Sequence, residues 1–191
     1  MGRDHSRMAV CGLDQKCMPL RYPDSYWETL VGCPEIYSTF GVINGVSMLL
    51  IGVVANMTDV HENVSVEYLR EAERRLMEGA PHVCYISTMF IEHASRKEGL
   101  GRWGYKTAEV SINPEYSTEL LMRALDQVKK GVPNGSIVYL HVQADNSAGC
   151  NLYESIGFMR AEILPGYYAT SQTRSGAVFG SADAFLYYRT L

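Results

Sequence analysis

The chain is 191 residues long, 47% hydrophobic and 20% charged, with a formal net charge of −4 at neutral pH. That length is most simply one domain, residues 1–191, able to bury its own core, and the composition is that of a globular protein. The acidic balance, with no basic run or interleaved aromatic stripe, excludes nucleic acid as the main partner, and the scattered cysteines Cys11, Cys17, Cys33, Cys84 and Cys150 read as free thiols in a reducing compartment, with no zinc site.

From the amino terminus, Met1 to Arg7 is polar and charged and lacks the apolar core of a secretion signal, so a cytoplasmic protein is expected. Residues 1–18 are irregular or weakly helical. Tyr22-Pro23-Asp24-Ser25 opens a short helix through Leu30, with Asp24 or Ser25 at its N-cap. Two β-prone runs, about 36–43 and 46–55, flank Asn44-Gly45, which predicts a hairpin. The same dipeptide breaks the apolar stretch Phe40–Ala55, already shorter than the ~20 residues a transmembrane helix needs. A charged helix is predicted at about 65–78, with Leu69, Ala72 and Leu76 on a narrow apolar face and Glu71 spaced to pair with Arg75.

Val83–Ile91 reads as a strand, and Arg96-Lys97-Glu98-Gly99-Leu100-Gly101 as a glycine-bearing loop directly after it. Residues 102–117 have no clear period. Leu120, Leu121, Ala124, Leu125 and Val128 then mark an amphipathic helix, for which Asn113-Pro114 is a suitable N-cap and first-turn pair and Gly131 with Pro133 a stop. A strand at 137–142, a helix at 147–155 and strands at about 158–169 and 183–189 close the order. This is an α/β (α+β) succession without repeats: a central mixed sheet flanked by helices.

The glycine loop carries the first chemistry. Gly99 and Gly101 have no side chain to hold a pyrophosphate away from the backbone, and they permit positive φ. Successive peptide N–H groups leading into a helix make an anion cradle, and Arg96 and Lys97 add formal charge beside it. A lone Gly-x-Gly is an ordinary loop more often than a site; here a strand stands on each side of it in sequence.

These segments resemble the GCN5-related N-acetyltransferases (GNAT), and within them the amino-terminal acetyltransferases of the NatF and NatE type. Arg96 to Gly101 is similar to the family's Arg/Gln-x-x-Gly-x-Gly/Ala signature. Tyr139-Leu140-His141-Val142 through Asn146, Tyr153, Gly157 and Phe158 is similar to its last motif, and Leu164-Pro165-Gly166-Tyr167-Tyr168 to the loop after that. Met18-Pro19-Leu20-Arg21-Tyr22 resembles its substrate-side loop, with Met18 where the family has phenylalanine, and beside the family Arg102 to Ser117 looks like an insertion.

The resemblance implies the GNAT fold and an enzyme that transfers acetyl from acetyl-CoA, with no metal, to the α-amine of peptide or protein amino termini, Met-initiated ones foremost. It also implies site roles. Ser87, Thr88, Met89 and Phe90, with Arg96 to Arg102, Asn146 and Tyr153, would bind the cofactor; backbone donors at Ser87–Phe90 would face the thioester oxygen if the strand bulges there. Met18, Pro19, Leu20, Arg21, Tyr22, Tyr167 and Tyr168 would line the peptide groove. Two rivals stay open: acetylation of a lysine or small amine on the same scaffold, and a degenerate acetyl-CoA-binding subunit within a larger acetyltransferase assembly.

Amide formation needs a base for the amine and an acid for the departing thiol. A peptide α-amine, with a reference pKa of ~8, needs only a modest push. His141 suits that task near neutral pH, and the resemblance implies that Tyr85 shares it through a water. Tyr153 is the candidate acid for the sulfur. Each has a plainer alternative: a hydrogen-bonded core histidine, a half-buried strand tyrosine, an aromatic anchor under a helix.

Overall fold

The chain runs β1 (Ile36–Ile43), β2 (Val46–Asn56), α1 (Glu71–Met77), β3 (His82–Ile91), α2 (Pro114–Gly131), β4 (Ile137–Gln143), α3 (Ser147–Ser155), β5 (Met159–Leu164) and β6 (Ala184–Thr190). This is a computed structural model, and it describes residues 36–43, 46–56, 70–91, 114–169 and 180–191. The expected helix at 24–30, the glycine loop and residues 65–69 lie outside the described residues; the helix expected at about 65–78 begins at Glu71, after the extended N-cap Arg70.

All six strands join one mixed sheet in the order β1-β2-β3-β4-β6-β5. Among the described strands only β3 and β4 run parallel, because α2 carries the chain back between them; the other pairs are antiparallel. The period of two divides β4 between two cores. Val138, Leu140 and Val142 point to one face, buried with Leu121, Ala124, Leu125 and Val128 of α2 and with Cys150, Tyr153 and Ile156 at α3. Tyr139 points to the other, buried with Ala72 and Met77 of α1, Leu164 of β5 and Leu186 of β6. The sheet is thus sandwiched, α1 on one side and α2 with α3 on the other. No helix among the described residues is long and apolar enough to cross a membrane.

Three local readings differ from expectation. The strand expected at 158–169 ends at Leu164, where Pro165 cannot donate to a ladder and Gly166 takes φ 64, so Tyr167 and Tyr168 sit in a turn. Helix α2 begins at Pro114, so residues 114–117 of the expected insertion are helical. Glu71 pairs with Arg74 at 2.8 Å, not with Arg75, which reaches across to Glu162 of β5 at 3.1 Å. Both spacings bring helix side chains together, and the cross-element carboxylate takes the second arginine.

Candidate active site

The parallel ladder between β3 and β4 is short. It pairs Val83 with Ile137, Cys84 with Val138 and Tyr85 with Tyr139, and past that point neither strand pairs with the other. The sheet forks there, with Tyr85 and Tyr139 at its base, their rings 4.9 Å apart. On β3, one step beyond the fork, Gly52 of β2 partners Ile86 while Ile51 partners Thr88, so Ser87 is the extra residue of a bulge. This irregularity falls inside the Ser87–Phe90 segment expected to carry inward backbone donors.

His141 projects from β4 two residues past the fork, on the α1 face. Its side chain is only 3% exposed. At Nδ1 it meets two hydroxyls: Tyr167 Oη at 3.0 Å and Tyr85 Oη at 3.3 Å. The Tyr167 ring lies over the imidazole face at 4.2 Å and 24°, whereas Tyr85 meets its edge at 62°. At the other nitrogen, Nε2, stands the Glu73 carboxylate, 2.9 Å away and itself buried. That oxygen lies off the ring's N–H axis, so Nε2 has no aligned hydrogen-bond acceptor and the contact is one of charge and dipole.

Burial raises the Tyr85 hydroxyl well above its ordinary pKa, and the neighbouring phenols of Tyr167 and Tyr139 push the same way. Burial likewise raises Tyr167, partly offset by a hydrogen bond with Tyr85. Both phenols therefore hold their protons at neutral pH, able to donate to Nδ1 while accepting from a substrate.

The structure brings Tyr85 and His141 together, and it places Tyr167, expected in the wall of the peptide groove, against the same imidazole. Tyr168 stands beside them, its ring 4.9 Å from that of Tyr167. Tyr153 is on the opposite face of the sheet, buried among α2 and α3 residues with its ring 5.7 Å from Phe158 and 6.4 Å from Tyr187. Burial pushes its hydroxyl up to about 12, which keeps it a proton donor. Asn146 is the N-cap of α3, accepting from Gly149 N at 2.9 Å. Met89 packs partly buried against the α2 and α3 core. Ser87, Thr88 and Phe90 are placed as β3 backbone, while Met18, Pro19, Leu20, Arg21, Tyr22 and Arg96 to Arg102 lie outside the described residues. No cluster of metal-ligating side chains occurs among the described residues.

Glu73 was not anticipated. It stands third among Leu69, Ala72, Glu73 and Leu76, the spacing of an apolar helix face, and a carboxylate inside such a stripe is the signal that marks it. It has a local partner too: Oε2 accepts from Arg70 N at 2.7 Å, the reciprocal half of a capping box at the start of α1.

The chain matches no protein-family model. It is 37% identical over 75 residues to the ribosomal protein bS18-alanine N-acetyltransferase of Escherichia coli, a match covering 36% of this chain and 49% of that one. It is 26% identical over 152 residues to N-alpha-acetyltransferase 60 of Xenopus tropicalis, covering 79% of this chain and 54% of the relative. The chain therefore spans about half the length of these curated relatives. Among solved structures it is similar to Arabidopsis thaliana NAA60 in complex with acetyl-CoA, at TM-score 0.62 and 19% identity over 98% of this chain and 94% of that one. It is equally similar to Arabidopsis thaliana Naa50 in complex with the bisubstrate analogue CoA-Ac-MVNAL, at TM-score 0.62 and 20% identity over the same shares. Its homologues are thus N-acetyltransferases, N-alpha-acetyltransferases among them, and its fold is the GNAT fold.

Proposed function

We propose that this chain transfers acetyl from acetyl-CoA to the α-amino group of protein amino termini, Met-initiated ones first, by direct attack within a ternary complex. The observation that carries the reading is a closed imidazole, contacted at Nδ1 by two phenols, just past the fork of β3 and β4. Acetyl-CoA would supply an activated acetyl group as a thioester. The bulge at Ser87 supports backbone donors for its carbonyl oxygen, and Asn146 with the 96–102 loop remains the proposed hold on the rest of the molecule.

The residues of this chain then have to move one proton. His141 is too enclosed for an amine to touch it directly. A phenol bridges that gap: it accepts the amine proton at its oxygen as it gives its own to Nδ1, so no phenolate accumulates. Tyr85 and Tyr167 both have the reach, and a hydrogen bond between them makes a two-step relay available. Tyr153 is the proposed acid for the departing sulfur, working from the other face of the sheet. Tyr167 and Tyr168 are the proposed wall of the peptide groove, and Met18 to Tyr22 the proposed substrate-side loop. The likeness to the protein crystallised with a Met-leading bisubstrate supports the Met preference.

The test is thiol release from acetyl-CoA with matched peptides, one with a free amino-terminal Met and one N-blocked with an internal lysine. Turnover confined to the free terminus, and lost in His141→Ala, supports the reading. Turnover on the blocked peptide moves the substrate to lysine, and tight CoA binding without turnover on either peptide makes the chain a non-catalytic binding subunit.

A further inference from the structure

We infer that Glu73 is the positioning residue of this site, holding the His141 proton on Nε2 so that the Nδ1 lone pair faces the two phenols. A carboxylate is expensive to bury unless it is satisfied, and Glu73 is 4% exposed. Its two oxygens have separate employments. Oε2 takes the Arg70 backbone N–H at 2.7 Å, which anchors the carboxylate to the first turn of α1. Oε1 is left facing His141 Nε2 at 2.9 Å. The one guanidinium nearby does not compete, because Arg70 turns its side chain outward to the Pro165 carbonyl and the face of Tyr167.

A neutral imidazole carries one proton on one of two nitrogens, and its neighbours decide which. An ionised carboxylate only accepts, whereas a phenol donates or accepts. The carboxylate at Nε2 and two hydroxyls at Nδ1 therefore favour one tautomer, Nε2–H, with Nδ1 free to accept. The remaining ring against the imidazole, Tyr139 of β4, is a phenol that meets it edge-on at 5.9 Å, so the carboxylate of Glu73 is what distinguishes the Nε2 side from the Nδ1 side. The oxygen's position off the N–H axis means that the preference comes from its charge rather than from an aligned bond.

The inference rests on the acetyl-transfer reading only for its kinetic arm, so the test has two. Nitrogen-15 NMR of the histidine side chains, run on the full chain at neutral pH, assigns the His141 tautomer. The expected spectrum is Nε2–H in the native protein and a mixture of tautomers in Glu73→Gln, whose amide can donate to Nε2 as well as accept the Arg70 N–H. With it, kcat in Glu73→Gln falls by about 100-fold or more while KM for acetyl-CoA stays within about threefold, the pattern of a misplaced proton. A native His141 protonated on Nδ1 overturns the inference outright, whatever the variants do. So does a Glu73→Gln protein that keeps Nε2–H alone. Should the native chain transfer no acetyl at all, the spectrum still decides the role of Glu73, and only the function falls.

Discussion

The Tyr167 hydroxyl reaches His141 Nδ1 at 3.0 Å, closer than the 3.3 Å of Tyr85, although Tyr167 comes from a turn and Tyr85 from the neighbouring strand. The turn thus supplies the nearer contact. Gly166 makes this possible: at φ 64 it bends the chain back over the sheet and donates its N–H to Asp183 Oδ1 at 2.8 Å, while Tyr168 N donates to Ala182 O at 2.7 Å. Between those two fixed points the Tyr167 ring has little choice but to lie on the imidazole.

If both phenols belong to one relay, their losses will not add. Tyr85→Phe and Tyr167→Phe should each lower kcat by roughly 10- to 100-fold, the lower part of what a positioned proton carrier contributes. The double variant should be no worse than the worse single one, since a chain broken once gains nothing from a second break. Initial rates at saturating acetyl-CoA read this directly. Singles that multiply in the double variant would mean two independent roles.

The buried thiol and phenol predict how the fold fails in alkali. Burial pushes Cys84 from the ordinary 9.0 up to about 12 and Tyr153 from 10.0 up to about 12. A group whose folded value is raised contributes stability in full below its unfolded value and loses it as pH climbs toward the folded one. Stability should therefore hold to about pH 9, decline as Cys84 begins to count, and steepen past pH 10 as Tyr153 is joined by Tyr85, Tyr139, Tyr167 and Tyr187, all raised by burial, each unit of raised pKa being about 1.4 kcal/mol. Urea midpoints from pH 8 to 11 test it. Cys84→Ala should flatten the pH 9–10 segment and leave the steeper one; a profile identical to the native one would exclude Cys84 as the source.

Much of this was legible from the sequence. Helix 147–155 has the expected ends, and Tyr85 with His141, 56 positions apart, meet as the resemblance implied. What was missed depends on the third dimension. Glu73 was passed over because Glu71 and Arg75 offered a surface pair on the same helix, and only the packing of α1 on β4 shows which glutamate is buried. The bulge at Ser87 was expected only through the resemblance; the β3 sequence itself carries no signal for it, since the extra residue exists only relative to β2. The end of β5 was signalled by Pro165-Gly166, but the aromatic run after it reads as strand until the turn is seen.

Asn146 and Gly149 form a pair whose energetics can be separated. The Asn146 side chain caps α3 through Gly149 N, and a Cβ at residue 149 would come within 2.8 Å of Asn146 Nδ2. Asn146→Ala should cost about 1 kcal/mol, the usual worth of such a cap. Gly149→Ala gains up to about 1 kcal/mol of helix propensity but has to displace the cap, so alone it should be neutral or destabilising. In an Asn146→Ala background nothing is left to displace, and the same change should stabilise by about 0.5–1 kcal/mol. Denaturant unfolding of the four proteins closes the cycle. Equal effects of Gly149→Ala in both backgrounds would mean that the side chains do not conflict.

Arg70 ties α1 to the turn that carries Tyr167. Its Nη1 donates to the Pro165 carbonyl at 2.9 Å and its guanidinium lies 5.2 Å from the centre of the Tyr167 ring. Both contacts are near solvent, so Arg70→Ala should lower stability by only about 1 kcal/mol. The effect on rate should be larger than that suggests, because the turn has lost its hold on the α1 side and the Tyr167 hydroxyl must stay within hydrogen-bond reach of Nδ1. We expect kcat to fall by about 5- to 20-fold, a loss that small displacements of a proton carrier can produce. Arg70→Lys should recover little, since an ammonium lacks the planar fork that bonds the carbonyl and stacks on the ring at once. Rate and thermal midpoint measured on the same preparations distinguish the cases. A rate loss in Arg70→Ala that disappears when Tyr167 is already phenylalanine places Arg70 upstream of that hydroxyl, whereas an undiminished loss in the Tyr167→Phe background would mean that Arg70 acts on the substrate itself.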